Sequence, residues 1–169
     1  RSEKPDYERL VPQDRLLFHD IDWGIGKIRQ FMVDCIPTAC TVEIDDDFKQ
    51  VQCIVGKHAR VITDPGAILQ IIENSINVCA DLEIPMFCWS RQPNPLHFSP
   101  HDPIAFNAGM GAAYGIIGHD YRFNTELHEN VDMDLSLQCL LRDRIIFQDR
   151  RFYFDVGLTE QGRGGFQGR

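Results

Sequence analysis

The stretch "CTVEIDDDF", residues 40–48, decides how the rest of the chain is read. Thr41, Val42, Glu43 and Ile44 have the β-branched, alternating character of a strand. That strand runs directly into Asp45, Asp46 and Asp47. Three like charges on one turn repel one another unless something positive sits among them. An apolar strand leading into acids places them at the carboxyl edge of a sheet, where ligands bind in α/β folds. Carboxylates there suit a hard divalent cation, which takes oxygen ligands and keeps waters for a phosphate partner. A solvated acidic turn is the plain alternative.

Upstream, "WGIGKIRQFMVDCI" places Ile28, Phe31, Met32 and Cys35 at helical spacing, so a helix is expected to end before Pro37. Residues 1–15 are polar and read as a loop or loosely attached arm, and "RLLFHDID" as a short strand or turn. Downstream, "VQCIVG" and "ARVIT" read as two strands around a Gly56-Lys57-His58 turn. Asp64-Pro65-Gly66 then opens a helix, with proline in its first turn. Its apolar stripe is Ile68, Ile71, Ile72, Ile76 and Cys79. "MFCWS" is a strand, and the proline-rich run "RQPNPLHFSPHDP" an irregular loop. "AAYGIIG" is a strand, "VDMDLSLQCLLRD" a helix, and "RIIFQDRRFYFDVG" two strands around a Gln148-Asp149 turn. Strands alternating with helices, plus hairpin-like pairs, predict an α/β fold with a mixed sheet.

The 169 residues suffice for one domain with a sizeable core, and 43% apolar with 25% charged residues is ordinary globular composition. No apolar run approaches the roughly 18–20 residues needed to cross a bilayer, so no membrane partner is expected, and no signal peptide is visible. The net charge of −8 argues against broad nucleic-acid binding but leaves room for a local basic groove. Cys35, Cys40, Cys53, Cys79, Cys88 and Cys139 stand singly with no CxxC pair. That excludes a zinc ribbon and predicts buried, reduced thiols and a cytoplasmic setting.

A second acidic group, Glu129, Asp132 and Asp134, lies in "LHENVDMDL". Glu129 and Asp132, three apart at a helix start, fall on one side of it. They serve either the helix dipole or a general base that deprotonates an acceptor hydroxyl. "NAGMGAAYG" lets backbone N–H groups approach a ligand but matches no phosphate-loop pattern. Trp89 is a core residue or a platform for a sugar or base. His97, His101, His119 and His128 lack metal-ligand spacing. Arg163 and Arg169 sit on a glycine-rich tail from which they could reach a diphosphate.

The order of these pieces resembles the GT-A class of glycosyltransferases. A helix carrying Arg29 precedes the strand ending in the DxD-like "TVEIDDDF"; later come the glycine turn and strand "GMGAAYGII" and the acidic helix opening "HENVDMDLSL". A strand pair and a Gly/Arg-rich loop complete the likeness, which covers residues 23–169. Within that class, "ENVDMDLSLQCLLRDRIIFQDRRFYFD" is similar to the TET/JBP-associated glycosyltransferases, which are linked to hydroxymethylated pyrimidines in DNA. The resemblance implies a GT-A-like (Rossmann-like) mixed sheet flanked by helices. It divides the chain into an N-terminal arm or nucleotide-binding remnant (1–22), a catalytic core (23–157) and a flexible tail (158–169). The 44 residues before the aspartates are fewer than the family's usual nucleotide-binding unit, implying a trimmed chain or an abbreviated nucleoside pocket. Where many inverting members carry Glu-Asp, this chain has Glu129-Asn130, and an amide cannot act as a base.

The implied activity is metal-dependent transfer of a sugar from a nucleotide-sugar, a UDP-sugar, to a hydroxyl, including that of a hydroxymethylpyrimidine in DNA. Asp45 and Asp47 would hold Mn²⁺ or Mg²⁺, with Asp46 on the sugar or ribose. Lys27, Arg29 and Arg163 would face the donor, Asp132 would be the base, and Glu129 would contact sugar or acceptor. A cytoplasmic, nuclear or phage-encoded protein fits that role. Two rivals share the same acids: a non-catalytic Ca²⁺-binding module for carbohydrate or protein, and a two-metal nucleotidyltransferase.

Overall fold

The apolar run at residues 86–90 is buried on nearly every side chain, as the middle strand of a covered sheet must be. The computed structural model describes residues 4–21, 24–36, 38–55, 58–91 and 98–156. Seven strands form one sheet: β1 (Cys40–Ile44), β2 (Gln50–Val55), β3 (His58–Ile62), β4 (Met86–Ser90), β5 (Ile104–Ala105), β6 (Ala113–Ile117) and β7 (Phe147–Asp155). Their order is β1-β6-β4-β7-β2-β3, with β5 added against β7. Only β4 and β7 pair in parallel; the other neighbours are antiparallel. Since β1 and β4 both run opposite to β6, the carboxyl ends of β1, β4 and the first half of β7 share one sheet edge. The expected α/β class and mixed sheet flanked by helices are present.

Side chains alternate along each strand, so each strand feeds two cores. Met86 and Cys88 join Tyr114, Ile116, Val33 and Leu135 on the face covered by α2 (Ile25–Cys35) and α4 (Val131–Arg142). Phe87 and Trp89 join Ile71, Cys79, Phe147 and Phe154 on the face covered by α3 (Pro65–Asp81). Trp89 is 1% exposed and stacks on Phe154 at 4.1 Å between ring centroids, so it is a core residue and no ligand platform. Gly115 of β6 is required by the layer beneath it, because a Cβ there would lie 2.1 Å from Phe87 Cζ. Asp64 caps α3 through hydrogen bonds from the Gly66 and Ala67 amides, with Pro65 in the first turn.

Four expectations are corrected. The predicted turn at Gln148-Asp149 lies inside one unbroken β7. Gln148 donates to the Trp89 carbonyl, and Asp149 takes its bonds from Arg151, so this polar pair is satisfied within the sheet. Residues 4–10 form a short helix, α1, facing solvent, in place of a loop. Residues 16–21 make no strand. Finally, the innermost positions of α2 are Gly26 and Val33 with Arg29 between them, whereas Ile28, Phe31 and Met32 are half-buried and Cys35 is exposed. His19 packs edge-on against Phe31 from outside, with ring centroids 5.8 Å apart.

Of the cysteines, Cys79, Cys88 and Cys139 are buried, Cys40 and Cys53 are half-buried, and Cys35 is exposed; all six are free thiols. Burial pushes the thiols of Cys79 and Cys88 up to about 12 and that of Cys139 to about 11. Among the described residues no helix is long and apolar enough to cross a membrane.

Candidate functional site at the end of β1

The positive charge beside the aspartates is Arg29. Its Nη2 donates to Asp45 Oδ1 at 2.8 Å, and its Nε lies 3.4 Å from Glu43 Oε2. The helix is held close enough for this by Gly26: a Cβ there would meet the Asn124 carbonyl at 2.4 Å and the Leu127 carbonyl at 3.0 Å. Backbone contact at Gly26 thus brings α2 against the segment that leads into α4. Burial works against the Arg29 charge, but Tyr114, Glu43, Asp45 and Asp132 together outweigh it and raise its pKa.

Asp45 ends the strand in a turn, its N–H on the Ala112 carbonyl and its carbonyl accepting from Phe48. Asp46 and Asp47 lie on the exposed outer side of that turn. Burial raises the Asp45 pKa; Arg29 opposes the rise, while Asp47, Asp132 and Asp46 add to it. Asp132 is therefore in the electrostatic field of both Asp45 and Arg29, from the first turn of α4. Acids from two distant parts of the sequence converge on one guanidinium and outnumber it.

Two residues of this cluster were absent from the sequence reading. Glu43 is 7% exposed, and Tyr114, its cross-strand partner on β6, is fully buried. The Tyr114 hydroxyl donates to Glu43 Oε2 at 2.6 Å, and the Arg29 guanidinium carbon lies 5.7 Å from the Tyr114 ring centroid. Burial raises the Glu43 pKa against the lowering effect of Tyr114 and Arg29. Burial also carries the Tyr114 phenol well above its ordinary value, so it remains a hydrogen-bond donor. Alternation in "TVEI" already put Glu43 on the opposite face from Val42; what hid its burial was that both partners come from other elements.

The remaining candidates fall out as follows. Lys27 is exposed, two residues from Arg29 and about 200° round the helix. Glu129 is half-buried but precedes α4, so the helical spacing expected between it and Asp132 does not apply. Asn130 occupies the left-handed region at φ 54°, a conformation asparagine adopts more readily than most residues, and this accounts for the amide in that position. Asp134 accepts from Gln138 at 2.7 Å and from there serves the helix itself. Arg163 and Arg169 lie outside the described residues, as does His97.

The residues were tested for a fit to the divalent cation that the resemblance implies. Among the described residues no group of three or more His, Cys, Asp or Glu side chains is spaced to hold one. Burial first, and then the neighbouring Asp47, Asp132 and Asp46 charges, raise the Asp45 pKa against Arg29, and a cation would offset the charge part of that rise. Mg²⁺ commonly takes only one or two protein carboxylates and completes its shell with waters and a diphosphate. The donor set at Asp45 and Asp47 fits a cation of that kind, and not one needing a protein cage. Comparison of the chain with protein-family models, curated proteins and solved structures gives no match.

Proposed function

We propose that the protein is a GT-A-type, metal-dependent glycosyltransferase that moves a sugar from a UDP-sugar to a hydroxyl acceptor. The observation that supports this best is the convergence of Asp45, Arg29 and Asp132 at the sheet's carboxyl edge. A lone acidic turn would serve solubility alone; one joined by a cationic helix and a second acidic helix start has the parts for handling a diphosphate and a nearby proton.

In this reading Asp47 and the Asp45 carboxylate hold Mn²⁺ or Mg²⁺. When bound, that cation supplies charge compensation for a diphosphate leaving group. Arg29 fixes one oxygen of Asp45, Asp46 faces the sugar or ribose, and Lys27 and Arg163 serve the donor. Asp132 accepts the proton of the attacking hydroxyl, and Glu129 contacts sugar or acceptor.

A thermal-shift panel tests the reading. Ligand at about 100 times its Kd stabilises by about 2.7 kcal/mol. Mn²⁺ with UDP is expected to raise Tm beyond the sum of either alone, and Asp47→Ala to abolish that gain with the fold intact. Stabilisation by Ca²⁺ without any effect of UDP would identify the non-catalytic module instead. A response confined to nucleoside triphosphates would identify the nucleotidyltransferase.

The narrower acceptor, a hydroxymethylpyrimidine in DNA, is supported by the resemblance alone. The cations for a basic groove would be Arg142, Arg144, Arg150 and Arg151, with Arg163 and Arg169 outside the described residues. Arg142 pairs with Asp120 and Asp143, Arg150 with Asp102 and Arg151 with Asp149, while Arg144 is exposed. Sugar transfer to hydroxymethylated against unmodified duplex decides it; equal background labelling would remove DNA as the acceptor.

A further inference from the structure

A buried carboxylate is expensive, and Glu43 is an uneconomical way to fill a strand position. Its Oε1 is buried and finds no hydrogen-bond partner among the described residues. Replacing such a group by an apolar residue of similar size is often neutral or stabilising, so packing does not explain it. What Glu43 does have is a fixed relation to two other groups. The antiparallel register sets it directly opposite Tyr114, whose hydroxyl pins Oε2 at 2.6 Å. That same oxygen faces Arg29 Nε at 3.4 Å, while Arg29 Nη2 reaches Asp45 Oδ1 at 2.8 Å.

The guanidinium is therefore gripped on one edge by Glu43 and at a terminal nitrogen by Asp45, beside the Tyr114 ring. A free arginine side chain samples many rotamers, and its planar fork is useful only when its orientation is set. Asp45 follows β1 directly, two residues after Glu43, and both carboxylates lie within reach of one guanidinium. One arginine can bridge them, and a lysine ammonium, as a point charge, cannot hold both edges in the same way.

We propose that Glu43 and Tyr114 are positioning residues for the aspartate turn. They hold the Arg29 guanidinium in one orientation, and through it the Asp45 carboxylate, so that the turn meets a divalent cation carrying a nucleoside diphosphate in one arrangement. The ligand named here rests on the function proposed above; the clamp itself does not.

The experiment has a ligand-free arm and a binding arm. In the first, solvent exchange of the Arg29 Nε proton is followed by NMR in wild type, Tyr114→Phe and Glu43→Gln. Exchange is expected to quicken about two- to fivefold in both variants, the scale of one ion pair loosened. In the second, the Kd for UDP in the presence of Mn²⁺ is measured by calorimetry and is expected to rise about tenfold. Asp149→Asn is the control for a buried carboxylate elsewhere: it is expected to lower Tm while leaving that Kd unchanged. Arg29→Lys, which keeps the charge and loses the guanidinium's two contacts, should match the two variants in the binding arm and serves there if Glu43→Gln fails to fold. Unchanged exchange at Arg29, or a wild-type Kd in Tyr114→Phe, overturns the proposal. A wild-type protein that binds no UDP with Mn²⁺ sinks the functional reading instead, and the exchange arm still judges the clamp.

Discussion

Two buried carboxylates in this molecule meet an arginine, and they do so in opposite ways. Asp149 in β7 is 4% exposed and takes both oxygens' bonds from a residue two along its own strand: the Arg151 N–H, Nε and Nη2 at 3.0, 2.9 and 2.7 Å. Nothing else is needed to satisfy it. At the end of β1, Glu43 and Asp45 share one arginine from a helix, lean on a tyrosine from another strand, leave one oxygen bare, and stand in the field of Asp132. Locally closed pairs of the first kind belong to structure. Pairs assembled from four elements, with negative charge left over, mark where a protein meets something else.

The largest effect expected from this contrast is catalytic. Asp132→Asn should lower sugar transfer by about 10²–10⁴-fold, the usual contribution of a general base, with UDP binding nearly unchanged. Asp149→Asn should leave transfer as it was. Normal transfer in the Asp132 variant would erase the distinction between the two sites, or hand the base to Glu129 or Asp134; the anomer of the product separates a retaining mechanism from that reassignment.

Stability should reverse the ranking. Asp149→Ala strands a guanidinium, but Arg151 is half exposed and can turn to water, so the cost is about 1–3 kcal/mol. Glu43→Gln removes a buried charge with a bare oxygen and should cost less than about 1 kcal/mol. Urea denaturation at neutral pH compares them directly.

The pH dependence of stability sharpens the same point at smaller scale. Burial raises the Glu43 carboxyl above its ordinary value. Between the unfolded and folded pKa values the native state holds the proton more tightly. Glu43's contribution is therefore fully favourable below the usual carboxylate pKa of about 4.3 and is lost as pH rises through the raised value. Glu43→Gln should flatten that decline. An identical slope in the variant would mean the carboxyl is not perturbed by its site.

The smallest effect concerns the basic residues of β7. Because Arg150 and Arg151 already face Asp102 and Asp149, replacing both with alanine should change the salt slope of duplex binding by less than about one phosphate's worth. A larger change would show that those arginines leave their carboxylates for DNA.

Much of the scaffold was legible because its signals are local. Pro65 opens a helix that Asp64 caps, the helix before it in sequence ends at Cys35 as expected, and the apolar run at 86–89 admits little but a buried strand. The aspartates stand at the strand end where "TVEI" put them. What escaped depends on partners that the local pattern does not show, most of them far away in sequence. A Gln-Asp pair looks like a turn until Trp89 and Arg151 satisfy it, which pattern reasoning cannot see. Arg29 was expected to face the nucleotide-sugar donor, and its pairing with the Glu43 and Asp45 carboxylates was not read from the sequence. Tyr114 was given no role within the strand "AAYGIIG", since its hydroxyl's partner lies on β1, distant in the chain.

The long last strand has a consequence for cooperativity. One side of β7 is lined by β4; the other is lined by β5 along its first half and by β2 along its second, with a register shift at Trp89/Ser90 between the two stretches. The β2–β3 hairpin consequently joins the sheet through only four residue pairs, and most of β3 is exposed. Such a hairpin can open as a subglobal unit well below the free energy of complete unfolding. The Asp45 turn is tied to that unit: it runs into β2 through Phe48, whose ring lies 6.0 Å from that of Phe154, and Lys49, whose N–H donates to the Asp155 carbonyl. Local melting of the hairpin is thereby felt at the aspartate turn through the short segment that joins β1 to β2.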